Sequence, residues 1–126
     1  MMQPFFSVVI PVFNRAGILG AALASVLTQT EQDFEIVVAD DGSKDDPKAV
    51  IDRLGDPRIR YVRQENRGGG AARNLGIDNA RGRFFAFLDS DDVFLPGHLA
   101  AMRRLLEGTI GTAGYARMIV DRKSVV

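Results

Sequence analysis

The chain has 126 residues, of which 46% are hydrophobic and 25% charged, and its formal net charge is zero. This length and composition predict one soluble globular domain with a sizeable core. The zero net charge excludes a global basic field that would hold nucleic acid. Because there are no cysteines, disulfide bonds and thiolate metal sites are excluded as well.

No membrane span or signal peptide is expected. The apolar run at residues 5–13 is interrupted by Ser7 and Pro11, and it is far shorter than the roughly 20 residues that cross a bilayer. No basic segment precedes it. We therefore expect a cytoplasmic protein, or one that is peripheral to a membrane through other segments.

Strand-like and helix-like segments alternate along the chain. Apolar runs rich in β-branched and aromatic residues predict strands at residues 5–12, 34–39, 59–62, 83–88 and 114–120. Helical spacing and capping signals predict helices at residues 16–28, 47–55, 71–80 and 96–106. This alternation predicts an α/β fold, with a mainly parallel sheet and helices on both of its faces.

The first acidic cluster, Asp40 and Asp41, follows the second predicted strand and precedes Gly42 and Ser43. Ligands of open α/β sheets bind in the crevice at the carboxyl ends of the strands. A carboxylate there could accept hydrogen bonds from a base or a sugar, and Gly42 would let the backbone approach a flat ligand. The same residue types also favour an ordinary turn, so both interpretations stay open.

The second acidic cluster, Asp89-Ser90-Asp91-Asp92, follows the fourth predicted strand. Mg²⁺ and Mn²⁺ prefer oxygen ligands, and they are commonly held by one or two carboxylates with substrate phosphates and water. The alternative is that Asp91 or Asp92 caps the helix predicted from Pro96. One acid is enough for a cap, so three acids favour a metal or nucleotide site.

A third cluster joins the glycines at 68–70 to Arg73. Glycines before a helix expose backbone N–H groups that suit phosphate, and Arg73 could reach a phosphate or a base edge. The segment matches neither the dinucleotide fingerprint nor a P-loop. Close packing of a small-residue helix on the sheet explains it equally well.

Nucleophilic catalysis is not expected from this inventory. A Ser-His-Asp or Cys-His arrangement cannot be assembled, because there are no cysteines and His98 is the only histidine. His98 falls at the start of a predicted helix, and we expect a solvated residue rather than a ligand or a base.

In their order and spacing, these segments resemble the inverting nucleotide-sugar glycosyltransferases of family two, which have the GT-A fold. The resemblance extends from Ser7 to about Leu106. It rests on VIPVFN (9–14), ASVLTQT (24–30), FEIVVADDGS (34–43), Asn66, Gly68, AARNLGI (71–77), Ala80, Gly82, FLDSDD (87–92) and Pro96.

The resemblance implies a role for each matching position. Pro11 and Phe13 would flank the nucleobase, and Asp41 would accept a hydrogen bond from it. Arg73 would help to hold the base or the diphosphate of a nucleotide-diphosphate sugar. Asp89 would contact the ribose or a metal-bound water, and Asp91, with Asp89 beside it, would ligate Mn²⁺ or Mg²⁺.

The resemblance also implies what these residues leave out. In this family the general base and most of the acceptor site follow the metal motif. We therefore expect the catalytic base to lie beyond Val126, the last residue of the sequence. Residues 1–126 would form one donor-binding domain, the Rossmann-like half of a GT-A fold, cut short at its C-terminus. Such a domain would bind the donor and the metal without completing transfer to its unknown acceptor, be it polysaccharide, lipid or protein.

Two other classes of protein remain as alternatives. A receiver domain has a similar length and an acidic pocket, but its acidic pair follows the first strand, where this chain has Pro11 to Asn14. It also needs a lysine after the fifth strand, and Lys123 comes late. The second alternative is a nucleotide-binding module without catalytic activity.

Overall fold

The computed structural model describes residues 3–108 and a short strand at 119–121. Their strands are β1 Phe6–Val12, β2 Phe34–Asp40, β3 Ile59–Arg63, β4 Phe84–Phe87 and β5 Ile119–Asp121. Their helices are α1 Ala16–Leu27, α2 Pro47–Leu54, α3 Gly69–Asn79 and α4 His98–Gly108. Within these residues no helix has both the length and the apolar character needed to cross a membrane.

The strands form one sheet in the order β3-β2-β1-β4-β5. β1 pairs in parallel with both β2 and β4, and β2 pairs in parallel with β3, as the alternation of elements predicts. β5 pairs antiparallel with β4, which the sequence did not indicate. Residues 114–118 of the predicted fifth strand lie outside the described part.

The central position of β1 explains its continuous apolar sequence. Both faces of β1 and β2 are buried, so an alternating pattern would be unfavourable in either strand. One face contributes side chains such as Val8 and Ile36 to the main core, which also contains residues of α1, α2 and α4. The other face contributes Val37 to a smaller cluster with Ile77 of α3. The prediction of helices on both faces is confirmed.

Two helix starts show how tertiary contacts shift the predicted limits. α2 begins as the sequence indicates, with the Asp46 carboxylate accepting from the Ala49 N–H and Pro47 in the first turn. α4 begins at His98 rather than at Pro96. The Pro96 carbonyl accepts a hydrogen bond from the Thr30 N–H, so it is used by the segment after α1 instead of by α4.

The close approach of α3 to β1 depends on a small residue. Ala72 and Gly76 are the buried residues of α3, and a Cβ added at Gly76 would overlap the Val9 Cγ1 atom. Valine is stiff at χ1, so Val9 cannot easily move aside. The packing interpretation of this small-residue segment is therefore confirmed for the body of α3.

Replacing Gly76 with alanine tests this contact. We expect Gly76→Ala to lower the free energy of unfolding by about 2 kcal/mol, because overpacking outweighs the better helix propensity of alanine. Gly70→Ala is the matched control in the same helix, since a Cβ there meets no atom within 4 Å. Chemical denaturation should show Gly70→Ala unchanged or stabilised; equal destabilisation of both variants would contradict the contact.

Candidate nucleotide and metal site

A cleft of about 500 Å³ opens where the carboxyl ends of β1, β2 and β4 meet the start of α3. Because β1 lies between β2 and β4, the acidic residues that follow these two strands reach the cleft from its two sides. The lining residues are Pro11, Val12, Phe13, Arg15, Asp41, Asn66, Gly68, Gly69, Ala72, Arg73, Asp89, Ser90 and Asp91. All six residues predicted for donor and metal binding are therefore brought together.

Asp41 holds the loop that leads into α3. Its side chain is buried, with the residue 4% exposed. Oδ1 accepts hydrogen bonds from Gln64 Nε2 and the Arg67 N–H, both at 2.8 Å, and Oδ2 accepts from the Gly68 N–H at 3.0 Å. Gly42 lets this loop come close, because it has φ 84° and a Cβ there would lie 2.9 Å from the Asn66 nitrogen.

These hydrogen bonds keep the Asp41 carboxylate charged. Burial alone would raise the pKa of Asp41. The hydrogen bonds from the Arg67 N–H, the Gln64 amide and the Gly68 N–H lower the pKa by more than burial raises it, so it lies below its ordinary value of 3.8. A carboxylate has about four acceptor positions, and three are used by the loop. Capacity remains for an N–H group of a ligand in the cleft.

Asp40 has a different, structural task. It is fully buried and accepts hydrogen bonds from the Ser43 N–H at 2.8 Å, from Arg63 at 2.9 Å and from the Tyr61 hydroxyl. Burial acts to raise the pKa of Asp40, yet the hydrogen bonds from Ser43 and Tyr61 and the charge of Arg63 lower it overall. Both interpretations of this cluster therefore apply: Asp40 builds the turn, and Asp41 lines the cleft.

The turn between β1 and α1 is tied to the turn after β2. Asn14 has φ 54°, a conformation that asparagine tolerates better than most residues. Its N–H donates to Ser43 Oγ at 2.9 Å, and its side-chain oxygen accepts from the Lys44 N–H at 2.8 Å. These bonds fix the backbone beside Phe13, a residue of the cleft lining that is 42% exposed.

The far side of the cleft carries the acidic cluster after β4. Carboxylate oxygens of Asp89, Asp91 and Asp92 lie within 4.8 Å of one another. The Asp92 N–H donates to the Asp89 carbonyl at 3.0 Å, a turn that brings these side chains to one side. An oxygen-only donor set of this kind suits a hard divalent cation. The capping alternative is wrong, because α4 begins only at His98.

Two arginines face these carboxylates. Arg73 Nη2 lies 3.5 Å from Asp89 Oδ1, and Arg15 Nη1 lies 2.8 Å from Asp91 Oδ2. Arg73 was predicted for the site, whereas Arg15 was missed. A signal for it existed: Arg15 is at the N-cap of α1, where the helix dipole disfavours a positive charge.

His98 is not the solvated residue that the sequence predicted. Its ring stacks on Phe94 with centroids 4.3 Å apart. Its Nε2 atom is buried and has no hydrogen-bond partner among the described residues. Burial lowers the pKa of His98, so the ring is uncharged at neutral pH. His98 is not among the residues that line the cleft.

The resemblance to family two implies that the catalytic base lies beyond Val126. Val126 itself lies outside the residues that the structure describes, so its surroundings give no test of this expectation. The position of the base therefore stays a prediction.

A mainly parallel α/β sheet with a cleft at the carboxyl ends of its strands is the arrangement in which open α/β folds bind ligands. The sequence model of "Glycosyl transferase family 2" matches residues 7–124, and the chain belongs to this family. The receiver-domain alternative is therefore wrong.

The chain is similar to two relatives whose names refer to glycan synthesis. The chain is 42% identical over 111 residues to the GalNAc(5)-diNAcBac-PP-undecaprenol beta-1,3-glucosyltransferase of Campylobacter jejuni, covering 84% of this chain and 36% of that protein. It is 40% identical over 124 residues to the succinoglycan biosynthesis protein ExoO of Rhizobium meliloti, covering 98% and 34%. The chain thus spans about a third of the length of these relatives.

Solved structures confirm the fold. TarS of S. aureus in complex with UDP-GlcNAc is similar with a TM-score of 0.78 and 27% identity, covering 86% of this chain and 32% of that chain. The mannosyltransferase PcManGT of Pyrobaculum calidifontis, in complex with GDP-Man and Mn²⁺, has a TM-score of 0.75 and 24% identity, covering 84% and 33%.

Titration of Asp41 should release the loop before α3. Because folding lowers the pKa of Asp41, this carboxylate stabilises the fold at pH values above 3.8. The stabilisation is lost as the pH falls through the folded-state pKa. The amide resonances of Arg67 and Gly68 should therefore shift together in NMR spectra, with one midpoint below 3.8. The Thr28 amide, bound to the Ala24 carbonyl, is the control. Separate midpoints, or a midpoint above pH 3.8, would contradict the claim that Asp41 holds this loop.

Proposed function

We propose that the chain is the donor-binding part of a glycosyltransferase. It would bind a nucleoside-diphosphate sugar together with Mn²⁺ or Mg²⁺, for inverting transfer of the sugar to an acceptor hydroxyl. The observation that carries this proposal is the cleft that has the Asp41 carboxylate on one side and Asp89 and Asp91 on the other. That arrangement suits a ligand with N–H donors at one end and phosphates at the other.

The nucleobase would lie at the Asp41 end. Phe13 presents an exposed ring and Pro11 a half-buried one, and flat apolar surfaces of this kind suit a base. The remaining acceptor capacity of Asp41 would take an N–H of the base. TarS, which has been solved with UDP-GlcNAc, supports a nucleotide sugar as the ligand class.

The diphosphate would lie at the other end, between Arg73 and the acidic cluster. Asp91, with Asp89 beside it, would hold the divalent cation, and Asp89 would also contact the ribose or a metal-bound water. When bound, such a cation neutralises the charge that develops on the departing diphosphate. Arg73 would exchange its 3.5 Å contact with Asp89 for the base or a phosphate oxygen.

Inverting transfer also needs a base that takes the proton of the acceptor hydroxyl. The carboxylates that line the cleft are Asp41, Asp89 and Asp91, and the proposal gives each of them another role. From the resemblance to the family, we place the base beyond Val126 and the acceptor site outside the described residues, so that this segment alone would bind the donor without turnover. The named relatives favour a cell-envelope glycan as the acceptor.

Calorimetric titration tests the donor site. UDP, GDP and dTDP should each be titrated with and without Mn²⁺, and at least one should bind more tightly when Mn²⁺ is present. Asp91→Ala should remove the Mn²⁺-dependent part of that affinity, at least about tenfold, because a carboxylate ligand is lost.

Asp52→Ala is the matched control, since Asp52 is an exposed aspartate of α2 that pairs with Lys48 away from the cleft. It should bind as the unchanged chain does. An Asp91→Ala variant that keeps the full Mn²⁺-dependent affinity would contradict the metal assignment. Donor binding by a full-length protein that transfers no sugar would favour the non-catalytic alternative.

A further inference from the structure

We propose that Arg15 is an exchanging counter-ion of the metal site. It neutralises Asp91 when no cation is bound, and it turns to the diphosphate when the cation and the nucleotide bind together. This inference rests on the proposed function and adds a residue that couples the two ligands. Arg15 lines the same cleft as Arg73, but it comes from the opposite wall, at the start of α1.

The backbone of Arg15 is fixed while its side chain is free to turn. Its carbonyl accepts hydrogen bonds from the N–H groups of Ile18 and Leu19, both at 3.1 Å. The next N–H, that of Ala16, donates to Asp45 Oδ2 at 2.9 Å. The Arg15 side chain is 50% exposed, so rotation about its χ angles meets little resistance.

The contact between Arg15 and Asp91 is weak enough for another partner to replace it. Nη1 and Oδ2 lie 2.8 Å apart, but both side chains are half exposed, and exposed ion pairs are weak. The positive end of the α1 dipole disfavours the charge of Arg15, so this arginine needs an anion nearby. In the free site Asp91 supplies that anion, and a phosphate can supply it equally well.

A divalent cation on Asp91 changes this balance. A guanidinium and a dication repel each other when they share one carboxylate, so a cation that arrives alone must push Arg15 into solvent. When a diphosphate arrives with the cation, Arg15 gains a bidentate anionic partner instead. The two ligands should therefore bind with positive coupling, which by linkage is the same in either order of addition.

Arg15→Gln separates the two halves of the exchange. Mn²⁺ alone, followed by the electron paramagnetic resonance signal of the free ion, should bind about two- to fivefold more tightly to this variant, because the competing charge is gone. UDP in saturating Mn²⁺, followed by calorimetry, should bind about tenfold more weakly, because a charged hydrogen-bond donor to the diphosphate is lost. If UDP fails to bind the unchanged chain, the nucleoside diphosphate that binds best replaces it.

Arg15→Lys and Arg104→Gln are the controls. The lysine variant keeps the charge but not the planar fork, so it should keep the Mn²⁺ affinity of the unchanged chain and lose part of the diphosphate affinity. Arg104 is an exposed arginine of α4 outside the cleft lining, and Arg104→Gln should change neither affinity.

Two results would overturn the inference. In the first, Arg15→Gln binds Mn²⁺ without nucleotide with the same affinity as the unchanged chain, or more weakly. Arg15 would then have no effect on the metal or would orient Asp91 for it. If the loss of UDP affinity were the same without Mn²⁺, there would be no coupling. The proposed function fails separately, when the unchanged chain itself binds no nucleoside diphosphate in the presence of Mn²⁺.

Discussion

The buried carboxylate of Asp41 is the interaction on which the site depends. A charged group that is shielded from water is costly unless hydrogen bonds stabilise its charge. Asp41 meets this requirement by taking the N–H groups of Arg67 and Gly68 and the amide of Gln64, which belong to the loop before α3. One side chain thus joins the end of β2 to the wall of the cleft and also lines the cleft.

The strand order places the acidic cluster after β4 across the cleft from Asp41. β1 lies between β2 and β4, so the acidic residues after those strands flank the end of one central strand. The parallel pairing places both clusters at the same edge of the sheet. The turn after β1 is held by Asn14 and Ser43, which fixes Phe13 and Arg15 beside the cleft. The groups that we propose for the base and for the metal therefore come from the ends of separate strands with a fixed separation.

Local patterns in the sequence were sufficient to predict the parallel strands and the acidic residues that line the cleft after them. The apolar runs of β1 and β2 and the acids at strand ends are properties of a few neighbouring residues. The start of α4 was displaced because the Pro96 carbonyl bonds Thr30, a contact between distant segments. The burial of His98 against Phe94 and the pairing of Arg15 with Asp91 are also tertiary effects.

Asp40 and Asp41 are adjacent in the sequence, yet Asp40 points to Tyr61 and Arg63 whereas Asp41 lines the cleft. Successive side chains at the end of a strand point to opposite sides, and the position of β3 decides which of the two contacts Tyr61 and Arg63.

The central claim is that one nucleotide spans the cleft from Asp41 to Asp91. Paramagnetic broadening by Mn²⁺ in the presence of the nucleoside diphosphate tests it directly, because broadening falls steeply with distance from the ion. We predict that the amide resonances of Asp89 to Asp91 disappear first, while those of Arg67 and Gly68 shift with nucleotide and broaden less. Broadening centred elsewhere on the chain, or nucleotide binding that leaves the Arg67 and Gly68 resonances unmoved, would contradict the account.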